Sequence, residues 1–253
     1  ELAKKNKNIV FIGSDLGPGV LDDFKKKYPK RFFMEGVAEQ AIVGMAAGLA
    51  MQRFRPYVNT IATFITRRCF EQVVVDLCLH NLPVTLIGNG GGMVYAPLGP
   101  THQSIEDISI MRSVPEMQVC TPADAVELVA HLKEAINSDK PTYIRIGKKG
   151  EPIITSEVSE IRIGKSNIIK EGSDFLILGI GPIINEALSA VEKLESQSQK
   201  RIAIGDMSSV KPMDEIFLKE MVKRKFKTWI TLEEHGFVGG IGLRINNWLF
   251  KND

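Results

Sequence analysis

Met34-Glu35-Gly36-Val37-Ala38-Glu39-Gln40-Ala41-Ile42-Val43-Gly44-Met45-Ala46-Ala47-Gly48-Leu49-Ala50 reads as a helix built almost wholly from small and apolar residues, with a carboxylate in its first turns. Gly44, Ala46, Ala47 and Gly48 carry little bulk, so another backbone or a flat ligand can approach closely. A helix apolar on most sides is expected to be buried, and a buried acid must be paired or protonated. Two readings of Glu39 follow: a helix-start acid satisfied by the helix dipole, or a carboxyl with a tuned pKa and a chemical task.

Working outward from that helix, β-rich runs alternate with helical patterns along all 253 residues. Strands are predicted over 8–14, 58–64, 83–89, 118–121 and 142–146, then over 175–180, 201–206 and 228–233. Helices are predicted near 35–53, 68–80, 104–112, 123–137, 183–196, 212–224 and 239–250. Runs such as Phe175-Leu176-Ile177-Leu178 are apolar at consecutive positions, as in strands covered on both faces. The rhythm predicts an α/β protein of two domains, each a mainly parallel sheet flanked by helices. The polar, turn-rich stretch Lys148-Lys149-Gly150-Glu151-Pro152 marks the boundary. We expect a first domain over 1–150, a linker over 151–164 and a second domain over 165–253.

Composition narrows the function. With 32 basic against 30 acidic residues, the net charge of +2 gives no electrostatic reason to expect nucleic acid or an anionic membrane as partner. The run Lys223-Arg224-Lys225-Phe226-Lys227 reads as a solvated helix end. Cys69, Cys78 and Cys120 are odd in number and lack metal-ligand spacing, which suggests reduced, packed thiols in a cytoplasmic protein and no metal site on this chain. No apolar run is long enough to span a bilayer, and no signal peptide is visible. The sequence opens mid-pattern at Glu1 and stops at Asp253, so natural ends beyond both are expected.

Four features fall where open parallel sheets place ligands, at strand ends or just after them. Gly13-Ser14-Asp15-Leu16-Gly17-Pro18-Gly19 closes the first strand, and the Glu39 helix follows. Thr63-Phe64-Ile65-Thr66-Arg67-Arg68 ends a strand with an aromatic beside two cations. Gly88-Asn89-Gly90-Gly91-Gly92 leads into Leu98-Gly99-Pro100-Thr101-His102-Gln103. The glycine loop competes as a dinucleotide site, but no helix follows it directly and the third glycine of that fingerprint is missing. In Gly179-Ile180-Gly181, Ile184 stands where that glycine belongs. An acid in a Gly-Pro turn, as Asp15 is, also has a plain turn explanation. His102 lies in a loop bounded by Gly and Pro, which presents its ring to solvent or ligand. His80 and His131 read as surface or packing residues, and the Glu233-Glu234-His235 cluster as a cleft lining or a turn before the last helix.

Together, Gly36-Val37-Ala38-Glu39-Gln40, Ala62-Thr63-Phe64 and Gly99-Pro100-Thr101-His102-Gln103 resemble the pyrimidine-binding and C-terminal domains of the transketolase family of thiamine diphosphate enzymes. Asn81-Leu82-Pro83-Val84, Thr121-Pro122-Ala123-Asp124 and Leu232-Glu233-Glu234-His235 support it. The resemblance implies that Glu39 hydrogen-bonds the cofactor's aminopyrimidine and promotes its imino tautomer. A protonated or proton-sharing carboxyl is expected for that task. It implies that Phe64 stacks on the same ring, with Asp15 and Leu16 beside the cofactor, and that His102 faces substrate. It places Lys148 at an acceptor phosphate and makes Arg67 and Arg68 candidate anion contacts. Leu98 departs from the family's usual acid at an acceptor hydroxyl, a histidine is missing before Gly88, and Arg53 stands where a helix-ending glycine is common.

The resemblance also implies Mg²⁺ and a diphosphate held by a Gly-Asp-Gly motif and a distal Asn. Only Gly205-Asp206-Met207 comes near it here. The expectation is therefore a split enzyme: this chain beside a separate diphosphate-binding subunit that holds Mg²⁺, self-associating as α2β2 and acting on a sugar by two-carbon ketol transfer. A deoxyxylulose-phosphate-synthase-like carboligase, a 2-oxo acid dehydrogenase beta subunit and a non-catalytic regulatory subunit stand as alternatives.

Overall fold

The computed structural model describes residues 1–14, 19, 21–148, 150–155 and 161–252. Along the chain run α1 (Leu2–Lys5), β1 (Ile9–Gly13), α2 (Asp22–Lys27), β2 (Phe32–Met34), α3 (Glu39–Met51) and β3 (Arg55–Ile61). Next come α4 (Phe70–Gln72), β4 (Thr85–Asn89), α5 (Asp107–Ser113), β5 (Gln118–Cys120), α6 (Ala125–Asn137) and β6 (Thr142–Ile146). The chain ends with β7 (Asn167–Lys170), β8 (Phe175–Gly179), α7 (Ile184–Gln197), β9 (Ile202–Asp206), β10 (Ser209–Lys211), α8 (Glu215–Lys223), β11 (Thr228–Leu232) and α9 (Ile241–Asn252).

Two sheets organise the molecule. The first runs β10-β5-β6-β4-β3-β1-β2 and is parallel apart from β10. The second runs β11-β8-β9-β7 and is parallel apart from β7. The α/β reading thus holds, with helices flanking both sheets. Ile9-Val10-Phe11-Ile12-Gly13 is buried at every position, as a strand between two helical layers must be. Strands β2, β7 and β10 escaped the sequence pattern for a common reason. Each lies at a sheet edge and is only three or four residues long, too short to show a strand period. The third of these, β10, comes from the C-terminal part of the chain yet pairs with β5 of the first sheet.

Two helix-capping aspartates also hold neighbouring segments in place. Asp124 caps α6 by accepting from the N–H groups of Val126 and Glu127, and its second oxygen accepts from Ile154 and Thr155. Asp214 caps α8 through Phe217 and also accepts from Ser166.

The α3 helix is less enclosed than its composition suggests. Ile42, Val43, Ala46, Ala47 and Ala50 are buried, but Ala41, Gly48 and Met51 are not. A side chain at Gly48 would meet nothing within 4 Å, so a close-approach face of small residues stays open on the single chain. The helix stops as Arg53 adopts φ +67°, the left-handed conformation for which a glycine is the usual residue. None of the described helices is long and apolar enough to cross a membrane.

Candidate active site

Two predicted strand ends turn into the site. The strand expected over 58–64 stops at Ile61, and Phe64–Arg68 forms a π-helical turn instead. The Thr66 hydroxyl donates back to the Ala62 carbonyl at 2.7 Å, helping to wind the segment. A second π-turn, Val73–Cys78, follows α4, so the helix predicted near 68–80 is mostly π-helical. The wide turn brings Phe64 and Arg68, four residues apart, to one face. The Arg68 guanidinium lies over the Phe64 ring, 4.2 Å from its centroid.

Glu39 is the first residue of α3 and only 1% exposed. Its Oε1 accepts from Ser14 Oγ at 2.9 Å and from Thr60 Oγ1 at 3.4 Å. Its Oε2 accepts from Arg68 Nη1 at 2.5 Å. Burial raises the pKa of this carboxyl. The hydrogen bond from its own backbone N–H and those from Arg68 and Ser14 outweigh the burial, and the pKa falls below its ordinary 4.5. The sequence reading expects a protonated or proton-sharing carboxyl; here Arg68 supplies a counter-charge that favours the ionised form.

The His102 loop closes the other side. Its ring meets Phe64 edge-on, with centroids 5.1 Å apart, and approaches Tyr95 at 6.4 Å. Lys148 Nζ sits 5.3 Å from the Tyr95 centroid. Glu39, Arg68, Phe64, His102, Tyr95 and Lys148 thus form one continuous chain of contacts. Thr63 donates to the Thr101 carbonyl at 3.1 Å, and Thr101 Oγ1 lies 2.9 Å from His102 Nδ1. Arg67 faces away from this row. Its guanidinium donates to the carbonyls of Pro100, Thr101 and Gln103 and pairs with Glu106 at 3.1 Å, so it fastens the loop. Leu98 ends a short 3₁₀ turn and is well exposed. Asp15 and Leu16 lie outside the described residues.

The glycine loop supports this loop from below. The N–H groups of Gly90, Gly91 and Gly92 donate to Gly147, Ile146 and Ser104 carbonyls, so none is left to cradle a phosphate. A Cβ on Gly90 (φ +71°) would lie 2.0 Å from the Tyr95 ring. Close packing, and not a nucleotide, requires these glycines. Arg145, 7% exposed, donates to the Glu234 carbonyl at 2.6 Å and faces Asp107 at 3.5 Å. The Tyr143 hydroxyl donates to Asp107 at 2.7 Å. The Glu233-Glu234-His235 cluster proves structural. Glu233 accepts from Ile241 and Gly242 at the start of α9, and His235 Nε2 accepts from the Ser109 N–H.

Sequence reasoning missed Ser14, Thr60 and Tyr95 as site residues. Ser14 and Thr60 had a usable signal, since each hydroxyl sits at the C-terminal end of a sheet strand; Tyr95 had none beyond its loop position.

An α/β frame that sets a buried carboxylate, an aromatic face and a loop histidine beside the strand ends defines a class of cofactor-binding fold. Residues 1–151 match the transketolase pyrimidine-binding domain, and residues 164–252 match the transketolase C-terminal domain. The chain belongs to the transketolase family. It is 34% identical to a subunit of the apulose-4-phosphate transketolase of Phocaeicola vulgatus, over 100% of this chain and 81% of that protein. It is 38% identical to 1-deoxy-D-xylulose-5-phosphate synthase of Desulfotalea psychrophila, over 96% of this chain but only 38% of the synthase. Among solved structures, a split-gene transketolase described as an inactive beta4 tetramer superposes with a TM-score of 0.89 at 35% identity, covering 99% of this chain and 80% of that one.

Proposed function

We propose that this chain is the pyrimidine-binding subunit of a split, thiamine diphosphate-dependent transketolase-like enzyme that moves a two-carbon ketol unit between sugars or related aldehydes. One observation carries the reading: a buried carboxylate and an aromatic face address the same planar, N–H-donating group, a place now taken by Arg68. The donor set therefore fits an aminopyrimidine. When bound, thiamine diphosphate supplies a nucleophilic carbon that takes up and releases the ketol fragment. In this reading Glu39 accepts a ring N–H and moves a proton at Oε2, Phe64 stacks, and His102 exchanges protons with a substrate hydroxyl or carbonyl. Lys148, at the far end of the row, attracts an anionic group on the acceptor. Asp15 and Leu16 are proposed to flank the cofactor.

Mg²⁺ and the diphosphate are assigned to a separate subunit. Asp206, from the nearest motif on this chain, is only 1% exposed and has carboxylates as its charged neighbours. An α2β2 assembly is favoured by the open small-residue face of α3, and by relatives described as one subunit of a transketolase and as a beta4 tetramer. Three buried, unpaired cysteines agree with a cytoplasmic setting. The domain limits of 1–150 and 165–253, with a linker over 151–164, complete the proposed division. Kinship with the synthases favours a second reading, carboligation with pyruvate. Supplying a diphosphate-binding subunit and comparing ketol transfer from a ketose phosphate with pyruvate consumption separates the two. Ketol transfer is expected; pyruvate consumption alone would replace it with the second reading.

A further inference from the structure

We propose that Arg68 is a resident occupant of the pyrimidine pocket, which must swing out of the Glu39–Phe64 cleft before a flat heterocycle can enter. The proposal rests on the cofactor reading above and adds a conformational step to it.

A guanidinium is planar, carries N–H groups on its edge, pairs with carboxylates and stacks on aromatic faces. An aminopyrimidine offers the same two surfaces, a π face and an N–H edge. Arg68 already makes both contacts, with Nη1 2.5 Å from Glu39 Oε2 and Cζ 4.2 Å from the Phe64 centroid. That separation is one layer of van der Waals contact, so no second ring fits between them. His102 also crowds the Phe64 ring, edge to face, at 5.1 Å between centroids.

Arg68 is also able to leave. Its side chain is 40% exposed, and among the described residues only Glu39 and Phe64 hold its guanidinium. Its neighbour Arg67 makes the contrast, held by three carbonyls and Glu106. With its own side chain half-exposed and only the carboxylate buried, Arg68 can be displaced by a ring that takes over both of its contacts. Its departure also changes Glu39. The counter-charge goes while the burial stays, so the carboxyl gains proton affinity as the ring arrives.

The test uses the full chain, with 4-amino-2-methylpyrimidine as probe, followed by NMR on chain labelled at Glu carboxyl carbons. In Arg68→Met, which keeps an apolar stem but vacates the carboxylate and the ring face, the probe should bind at least about fivefold tighter than to the unaltered chain. The Glu39 titration midpoint should rise, and added guanidinium ion should compete with the probe. Arg68→Lys, which keeps the charge but loses the planar fork, should give a smaller gain of about twofold and serves if Arg68→Met does not fold. Equal or weaker probe binding in the folded variants would overturn the proposal and leave the cofactor reading intact. Probe binding to none of the chains would overturn the proposal, whereas the cofactor reading is decided separately, by turnover with the diphosphate-binding subunit.

Discussion

Glu39 and Asp206 are equally buried, each 1% exposed, yet the protein shifts their proton affinities in opposite directions. Glu39 has the start of α3, the Ser14 hydroxyl and the Arg68 guanidinium around it, and its pKa is lowered. Asp206 ends β9 with Glu127 and Asp124 as charged neighbours. Burial, reinforced by those two acids, pushes its pKa well above 3.8. Burial alone makes a neutral acid; a donor set turns the same burial into a poised anion. The sheets differ in the same way. At the ends of the first sheet's strands, Ser14, Thr60 and Arg68 surround Glu39, with Phe64 and His102 beyond Arg68. At the corresponding end of the second, Gly181 and Pro182 pack against Thr121 and Gly147 of the first domain, so that edge serves docking.

The largest test of this contrast is a pair of isosteric changes in the assembled enzyme. Glu39→Gln keeps a hydrogen bond but cannot relay a proton, so ketol transfer should fall by about 4 kcal/mol or more in the barrier. Asp206→Asn should leave turnover within about tenfold, or ~1.4 kcal/mol. Comparable losses from both would erase the distinction.

Stability against pH sharpens it further. Glu39 has a lowered native pKa, so its contribution is complete above its ordinary 4.5 and is lost as pH falls through the native value. Asp206 has a raised native pKa, so its contribution is present below 3.8 and is lost as pH rises through the native value. Asp206→Asn removes the second loss. Denaturant unfolding should show the variant gaining on the unaltered chain as pH rises above 3.8, by about 1.4 kcal/mol for each unit of displacement. A parallel pair of curves would mean that Asp206 is not protonated by its surroundings.

Loop support should matter less. Arg67→Met removes the hydrogen bonds to the His102 loop at a partly exposed position, which should cost about 1 kcal/mol of stability and raise KM for the acceptor more than it lowers kcat. The smallest effect is expected at Leu98. An exposed leucine discriminates weakly between acceptors with and without a hydroxyl beside the carbonyl, whereas Leu98→Asp should shift preference toward the hydroxylated member. Specificity constants for paired acceptors measure it. A strong preference for the hydroxyl before mutation would remove Leu98 as selector.

The contrast also explains what was legible in the sequence. Strands covered on both faces, such as β1 and β8, announce themselves as continuous apolar runs, and Glu39, Phe64 and His102 stand in local motifs at strand ends. The Arg68 clasp was hidden because residues 58–64 read as one strand, and only the π-turn places residues 64 and 68 on one face. The counter-ion of Glu39 was hidden for the same reason, since it lies 29 positions away. The short edge strands carry no burial signature, and Glu233 gave only the ordinary signal of an acid before a helix.

In the function proposed above, this chain supplies one half of a cofactor site whose diphosphate half lies on another subunit. Titrating the purified chain into a diphosphate-binding subunit, with thiamine diphosphate and Mg²⁺ present, tests that division directly. The expected result is no turnover and no tight cofactor binding by this chain alone, and ketol transfer that rises to a stoichiometric plateau on mixing. Micromolar binding of thiamine diphosphate and Mg²⁺, or turnover, by the isolated chain would contradict it.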